Sequence, residues 1–354
     1  MTEHEGAAIS AETLSGQVLH IPDLRPAFAS WKQGVNPNHE WVKTAVEERL
    51  EDLIENKEVL AKVKATDITL FASGLFPTAS AEDLKTAALY YVWLFLWDDV
   101  IDGAEADGAG DALAAEAYCR RSVAFVRRAL GVDGAETAPC PEEGAPTRIC
   151  ESFGDVGRRI VERGCRAEQR RGLFEQLREY MEGCVTEYKW RLSGRVPSVE
   201  QFYSWRLKTS SVDAMLELCR IINNIDLPND ILGSEEHAAM GRSVNKLLII
   251  KELKDGSFGN LVPVTMRALN LDLEGATQAL IQDIHGSIKD FNDNASAIRS
   301  RIVPEQGVGV AEQLRRLTES YQAIATTVLN FSIQSPRYGL SKYRQEDGSY
   351  AVPL

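Results

Sequence analysis

Periodicity constrains this chain more than any other feature. Almost every long segment of its 354 residues spaces apolar side chains at three- and four-residue intervals. No run alternates convincingly at the two-residue period of a half-buried strand, and hairpin signals are missing. Segments 40–64, 80–97, 110–130, 147–192, 198–224, 236–254, 260–270, 273–302 and 308–333 all read as helices. In the first of these, Trp41, Val42, Ala45, Val46, Leu50, Leu53, Ile54, Val59 and Leu60 are spread among charges in the helical manner. In the second, Ser80 is a natural N-cap after Pro77, with Asp83 three residues on. The expected fold class is all-α.

No second core pattern calls for another domain. Gly131 to Pro146 (GVDGAETAPCPEEGAP) has prolines, glycines and acids with nothing to bury, and reads as a loop insertion. Residues 1–20 and 341–354 read as N- and C-terminal tails, leaving a single helical domain over 21–340. The net charge of −13 leaves no basic stripe to displace counterions, so a nucleic-acid partner is excluded. The apolar stretches fall far short of a membrane span. Six scattered cysteines without zinc-site spacing, behind a polar, Ala-rich start, point to free thiols in the cytoplasm.

Four groups carry chemistry. Asp98-Asp99-Val100-Ile101-Asp102 closes an apolar run, Ala87 to Trp97, that is rich in aromatic residues. Asp98 and Asp102 stand four apart and share a helix face, while Asp99 is rotated by about 100°. Three acids at the end of an aromatic helix repel one another unless cations sit among them, and carboxylates with water and phosphate oxygens suit Mg²⁺. A solvated acidic helix end is the plainer reading. Arg206 lies among Tyr203, Trp205 and Leu207, where a guanidinium needs either a helix acid or an anionic ligand. Asn245 and Glu252 stand two helical turns apart, with Lys251 beside the latter, in a segment that would also serve as a surface helix capped by Gly256. Arg337-Tyr338 offers a fork of donors and a phenol to a phosphate group.

Together and in this order, these groups resemble the class I terpene cyclases, most closely the fungal and bacterial sesquiterpene synthases, over roughly residues 20–340. Asp98 to Asp102 matches that family's aspartate-rich motif without deviation. The stretch ending at Ser211 looks like the segment carrying its diphosphate-sensing arginine, which assigns that role to Arg206. It also places Thr209 and Ser210 at the linker and effector positions. Arg337-Tyr338 matches the C-terminal arginine-tyrosine pair. One motif departs. The family's second metal site uses Asn, Ser or Thr, and Glu at steps of four; counting back from Glu252 gives Leu248 and Val244, with Asn245 one residue out of step. A competing placement from Asn229 puts Gly233 and His237 at the other ligand positions.

The resemblance implies a class I terpenoid synthase bundle around a central apolar cavity, and a sesquiterpene synthase acting on farnesyl diphosphate. Three Mg²⁺ ions, with Mn²⁺ as the substitute, would be held by Asp98, Asp102, Asn245 and Glu252. Arg206, Lys251, Arg337 and Tyr338 would bind the diphosphate, Asp99 would hold surrounding donors, and Phe71, Trp93, Trp97, Tyr203 and Phe331 are candidate cavity walls. A diterpene cyclase on geranylgeranyl diphosphate, or a weakened relative that binds a prenyl diphosphate without turnover, are the alternatives. A chain-elongating synthase would show a second aspartate-rich motif, and none appears downstream. Monomer and homodimer are both compatible with the sequence.

Overall fold

The computed structural model describes residues 14–103, 112–132, 144–193, 197–249 and 261–354. The first long periodic segment divides into α1 (His39–Leu53) and α2 (Lys57–Thr66). Asn56 leaves the helical region there, and its side chain accepts from the Glu58 and Val59 amides to start a new helix. Asp67, at φ 51°, turns the chain into α3 (Ile68–Leu75) and caps it through the Leu70 amide. Next come α4 (Ala81–Gly103) and α5 (Ala112–Ala129). Ser80 Oγ accepts from the Asp83 amide at 3.2 Å, as the N-cap pattern predicted.

Segment 147–192 divides into α6 (Arg148–Glu151), α7 (Phe153–Glu162) and α8 (Ala167–Ser193). Likewise 198–224 divides into α9 (Val199–Thr209) and α10 (Val212–Ile222), because Ser211 adopts a left-handed φ of 56°. The short α11 (Asn229–Leu232) follows Pro228, and then come α12 (Glu235–Ile249), α13 (Leu261–Leu269), α14 (Leu273–Gln306) and α15 (Val308–Gln334).

α4 packs against α1, α3, α7, α8 and α10. Tyr90, Tyr91, Trp93 and Trp97 are wholly buried on it. A helix that is apolar on every side needs this enclosure. Each such aromatic side chain removes roughly 150–250 Å² from water, about 4–6 kcal/mol before the entropy of ordering is subtracted.

Of the segments expected as tails, residues 1–13 lie outside the described residues, and the described parts contribute to a small sheet. β1 (Val18–Ile21) pairs antiparallel with β2 (Tyr350–Pro353), Leu19 opposite Val352. Leu19, Tyr350 and Val352 pack with Phe202 and Trp205 of α9, Leu261 of α13 and Leu273 of α14. The pairing joins residues more than three hundred apart, which no local pattern announces. Among the described residues, no helix is long and apolar enough to cross a membrane.

Candidate active site

The last turns of α4 send adjacent acids to different partners. Asp98 Oδ1 accepts from the Tyr180 hydroxyl at 3.0 Å, with the Cys184 thiol 3.6 Å away. Asp99 takes the Arg337 fork instead: Nη2 donates to Oδ1 at 2.7 Å and Nη1 to Oδ2 at 3.4 Å. The Arg337 guanidinium also lies 5.2 Å from the centre of the Phe95 ring, in cation–π range. Burial works against its charge, but the hydrogen bond and charge of Asp99 outweigh that and hold its pKa above the usual arginine value. Tyr338 meets Phe331 edge-on at 6.0 Å. The backbone of Asp102 continues α4; its side chain lies outside the described residues.

Arg206 is 6% exposed, and Nη1 donates to Thr209 Oγ1 at 3.0 Å, with Glu187 Oε2 at 3.8 Å. Tyr180, Cys184 and Glu187 follow at spacings of four and three on α8, so one helix face serves both Asp98 and Arg206. Helix α9 is set by a reciprocal capping box between Ser198 and Gln201. At its end, Ser210 Oγ donates to Asn245 Oδ1 at 2.9 Å, and Asn245 Nδ2 donates to the Leu207 carbonyl at 3.3 Å.

Asn245, expected as a metal ligand, meets the end of α9. At 3% exposure, both polar atoms of its amide are engaged in holding the α9–α10 break. Val244, at the in-step ligand position, is wholly buried. Lys251 and Glu252 lie outside the described residues. In the competing placement, Asn229 is exposed, and His237 is bonded to the Leu232 carbonyl at 2.9 Å and to the Tyr321 hydroxyl at 3.0 Å.

Phe71 and Phe331 come together, with ring centres 4.6 Å apart. Phe95 joins them at 5.7 and 6.2 Å, and Tyr91 lies edge-on to Phe71 at 5.1 Å. Phe71 and Phe331 also line a cavity of about 460 Å³ between α2, α3 and α15. Trp93 and Trp97 are turned the other way: Trp93 packs on Phe153 of α7, and Trp97 stacks on Tyr118 of α5 and donates to Ser122 at 3.0 Å. Tyr203 is elsewhere, lining a separate cavity of about 320 Å³ with Arg242, Lys246 and Asp283. Sequence reasoning missed Tyr91 and Phe95. Their signal was register, since they precede Asp99 by eight and four residues and share its face.

Among the described residues, no three His, Cys, Asp or Glu side chains gather as a closed metal cage. Asp98 and Asp102, one turn apart at the end of α4, fit Mg²⁺ all the same, since that ion binds through one or two carboxylates and completes its shell with water and phosphate oxygens.

A family model described as "Terpene synthase family 2, C-terminal metal binding" matches residues 90–290. The sesquiterpene cyclase hepA of Aspergillus oryzae is 29% identical, over 92% of this chain and 90% of its own length. The 10-epi-cubebol synthase of Sorangium cellulosum is 27% identical, over 80% of this chain and 86% of its own. The crystal structure of linalool/nerolidol synthase from Streptomyces clavuligerus superposes with a TM-score of 0.71 at 18% identity, covering 85% of this chain and 98% of that one.

Proposed function

This chain belongs to terpene synthase family 2, and on that premise we propose that it is a sesquiterpene synthase, ionising farnesyl diphosphate and cyclising the resulting cation. The observation that carries the reading is the Asp99–Arg337 pair against the Phe95 ring, next to the Phe71, Phe331 and Tyr338 rings, with Asp98 adjacent in sequence at the same helix end. Acids, a cationic fork and aromatic faces are the parts that this reaction needs in one place. Bound Mg²⁺, three ions by family resemblance, would supply positive charge to the diphosphate oxygens, with Asp98, Asp102 and Glu252 as its carboxylates.

The protein's own task begins at the leaving group. The allylic C–O bond breaks with both electrons passing to the diphosphate oxygen. Arg337 exchanges Asp99 for that oxyanion, and Tyr338, Lys251 and Arg206 donate alongside it. Thr209 holds Arg206 from below, and Ser210 with Asn245 keeps the helix break rigid. The allyl cation is shielded from water by Phe71, Tyr91, Phe95 and Phe331, whose ring faces attract positive charge. Loss of a proton or capture of a water ends the sequence, giving a hydrocarbon or an alcohol. Family resemblance assigned Trp93 and Trp97 to this wall as well; their packing toward α5 and α7 supports a role as its buttress.

The test is incubation of the purified protein with farnesyl diphosphate and Mg²⁺ under a solvent overlay, analysed by gas chromatography–mass spectrometry, with geranylgeranyl diphosphate in parallel. A C15 product from the first substrate, nearly abolished in Asp98→Ala, supports the reading. Turnover of the C20 substrate alone makes the enzyme a diterpene cyclase. A second reading, a prenyl-diphosphate binder with weakened turnover, is favoured by the burial of Val244 at an expected ligand position. Binding of the diphosphate with no terpene formed would select it.

A further inference from the structure

We propose that Tyr180 is a positioning residue for Asp98, its hydroxyl pinning one carboxylate oxygen to α8 so that the other is presented to a divalent cation. The inference rests on the reading of Asp98 as a cation ligand and adds the group that aims it.

Tyr180 is 3% exposed, and its ring packs on Trp97 with centres 5.7 Å apart. Trp97 is in turn held by the Tyr118 stack at 5.6 Å and by its hydrogen bond to Ser122. The phenol is therefore seated by three elements, α4, α5 and α8. Trp97 and Asp98 are consecutive, so the same turn of α4 seats the ring and offers the carboxylate that its hydroxyl meets. An ionised carboxylate only accepts, which makes the phenol the donor. A charge-assisted hydrogen bond from a buried, immobile hydroxyl fixes the carboxylate plane.

Cys184, one turn along α8, approaches the same oxygen, so both α8 contacts converge on Oδ1. Asp99 turns to Arg337 instead, meeting it with both oxygens. Two neighbouring acids of one motif are thus divided, one anchored inward and one latched to the C-terminal segment. Outer partners of this kind typically change metal affinity about 10–100-fold when removed.

The experiment titrates Mn²⁺ against the full-length protein in the presence of inorganic diphosphate, reading free Mn²⁺ by electron paramagnetic resonance. Wild type, Tyr180→Phe, Cys184→Ala and Asp98→Asn are compared, with thermal unfolding recorded for each. Tyr180→Phe keeps the ring and removes only the donor. It is expected to weaken Mn²⁺ binding about 10–100-fold, with Asp98→Asn weakened at least as much. Mn²⁺ affinity within twofold of wild type in Tyr180→Phe, with Asp98→Asn defective, overturns the positioning role and leaves the site assignment standing. Undiminished affinity in Asp98→Asn overturns both.

A crystal structure of the wild-type protein with Mn²⁺ and diphosphate decides the matter without any variant. Asp98 Oδ2 on the metal, with Oδ1 still on Tyr180, supports the proposal. Oδ1 on the metal, with the phenol displaced, overturns it.

Discussion

Arg337 reaches Asp99 across 238 positions of sequence, with both guanidinium Nη atoms aimed at the two carboxylate oxygens. Their side chains are 29% and 40% exposed, so the pair contributes at most about 1 kcal/mol to stability. Its value is positional. It ties the segment after α15 to the end of α4, and it offers a fork that a more highly charged anion can take over.

Arg337→Lys keeps the charge and loses the fork. The variant is expected to melt within about 2 °C of wild type, while kcat/KM for the prenyl diphosphate falls roughly 10–100-fold. Steady-state kinetics alongside competition by inorganic diphosphate checks this. Unchanged inhibition by diphosphate would show that Arg337 does not touch it.

Asn245→Ala removes one partner of Ser210 and one of the Leu207 carbonyl at a buried position. A loss of about 1–3 kcal/mol in urea unfolding is expected. The Mg²⁺ concentration for half-maximal turnover should stay within twofold of wild type. A large rise in that requirement would mark Asn245 as a metal ligand.

Gly183 lets α8 and α9 approach: a Cβ there would stand 2.9 Å from Lys208 Cβ and 3.3 Å from Thr209 Cγ2. Gly183→Ala should cost about 1–3 kcal/mol by overpacking, and should weaken diphosphate binding by shifting Arg206 from Glu187. Gly286→Ala, on α14 with open space around it, is the control and is expected to gain about 0.5–1 kcal/mol. Equal melting temperatures for the two variants would contradict the close approach.

His237 is held below its usual pKa, first by burial. Its ring bonds the Leu232 carbonyl and the Tyr321 hydroxyl, an arrangement suited to the neutral form. Below pH 6.5 the unfolded chain binds this proton more readily than the native one. Stability is therefore full above that pH and declines as pH falls toward the lowered native pKa. Urea midpoints at pH 7.5 and 5.5 should differ, and His237→Gln should shrink the difference. An unaltered difference would locate the proton uptake elsewhere.

Particular residues mark how far the sequence could be read. Ser80, Ser198 and Pro228 each stand at an observed helix start, since capping and proline geometry act within a few residues. The breaks at Asn56 and Ser211 were less legible, because the periodicity runs through them unbroken and only a local side-chain cap or a positive φ ends each helix. In the candidate site, Asp99 was assigned to donors and is found on Arg337, whereas Tyr180 carried no signal at all. It is one tyrosine on a long helix, made relevant only by what packs on it.

From composition and spacing alone, the chain had to be helical, with an aromatic helix at its centre and acids at that helix's end. Those properties follow from intervals of three and four residues, which side-chain chemistry expresses locally. Packing decided the rest: which side of α4 faces Phe71 and Phe331 rather than Phe153, which acid turns to Tyr180, and that Val18–Ile21 joins Tyr350–Pro353. A helix buried on every side has no amphipathic stripe to indicate direction. Contacts across scores or hundreds of residues depend on how whole elements fill space together, and short-range pattern holds no record of that.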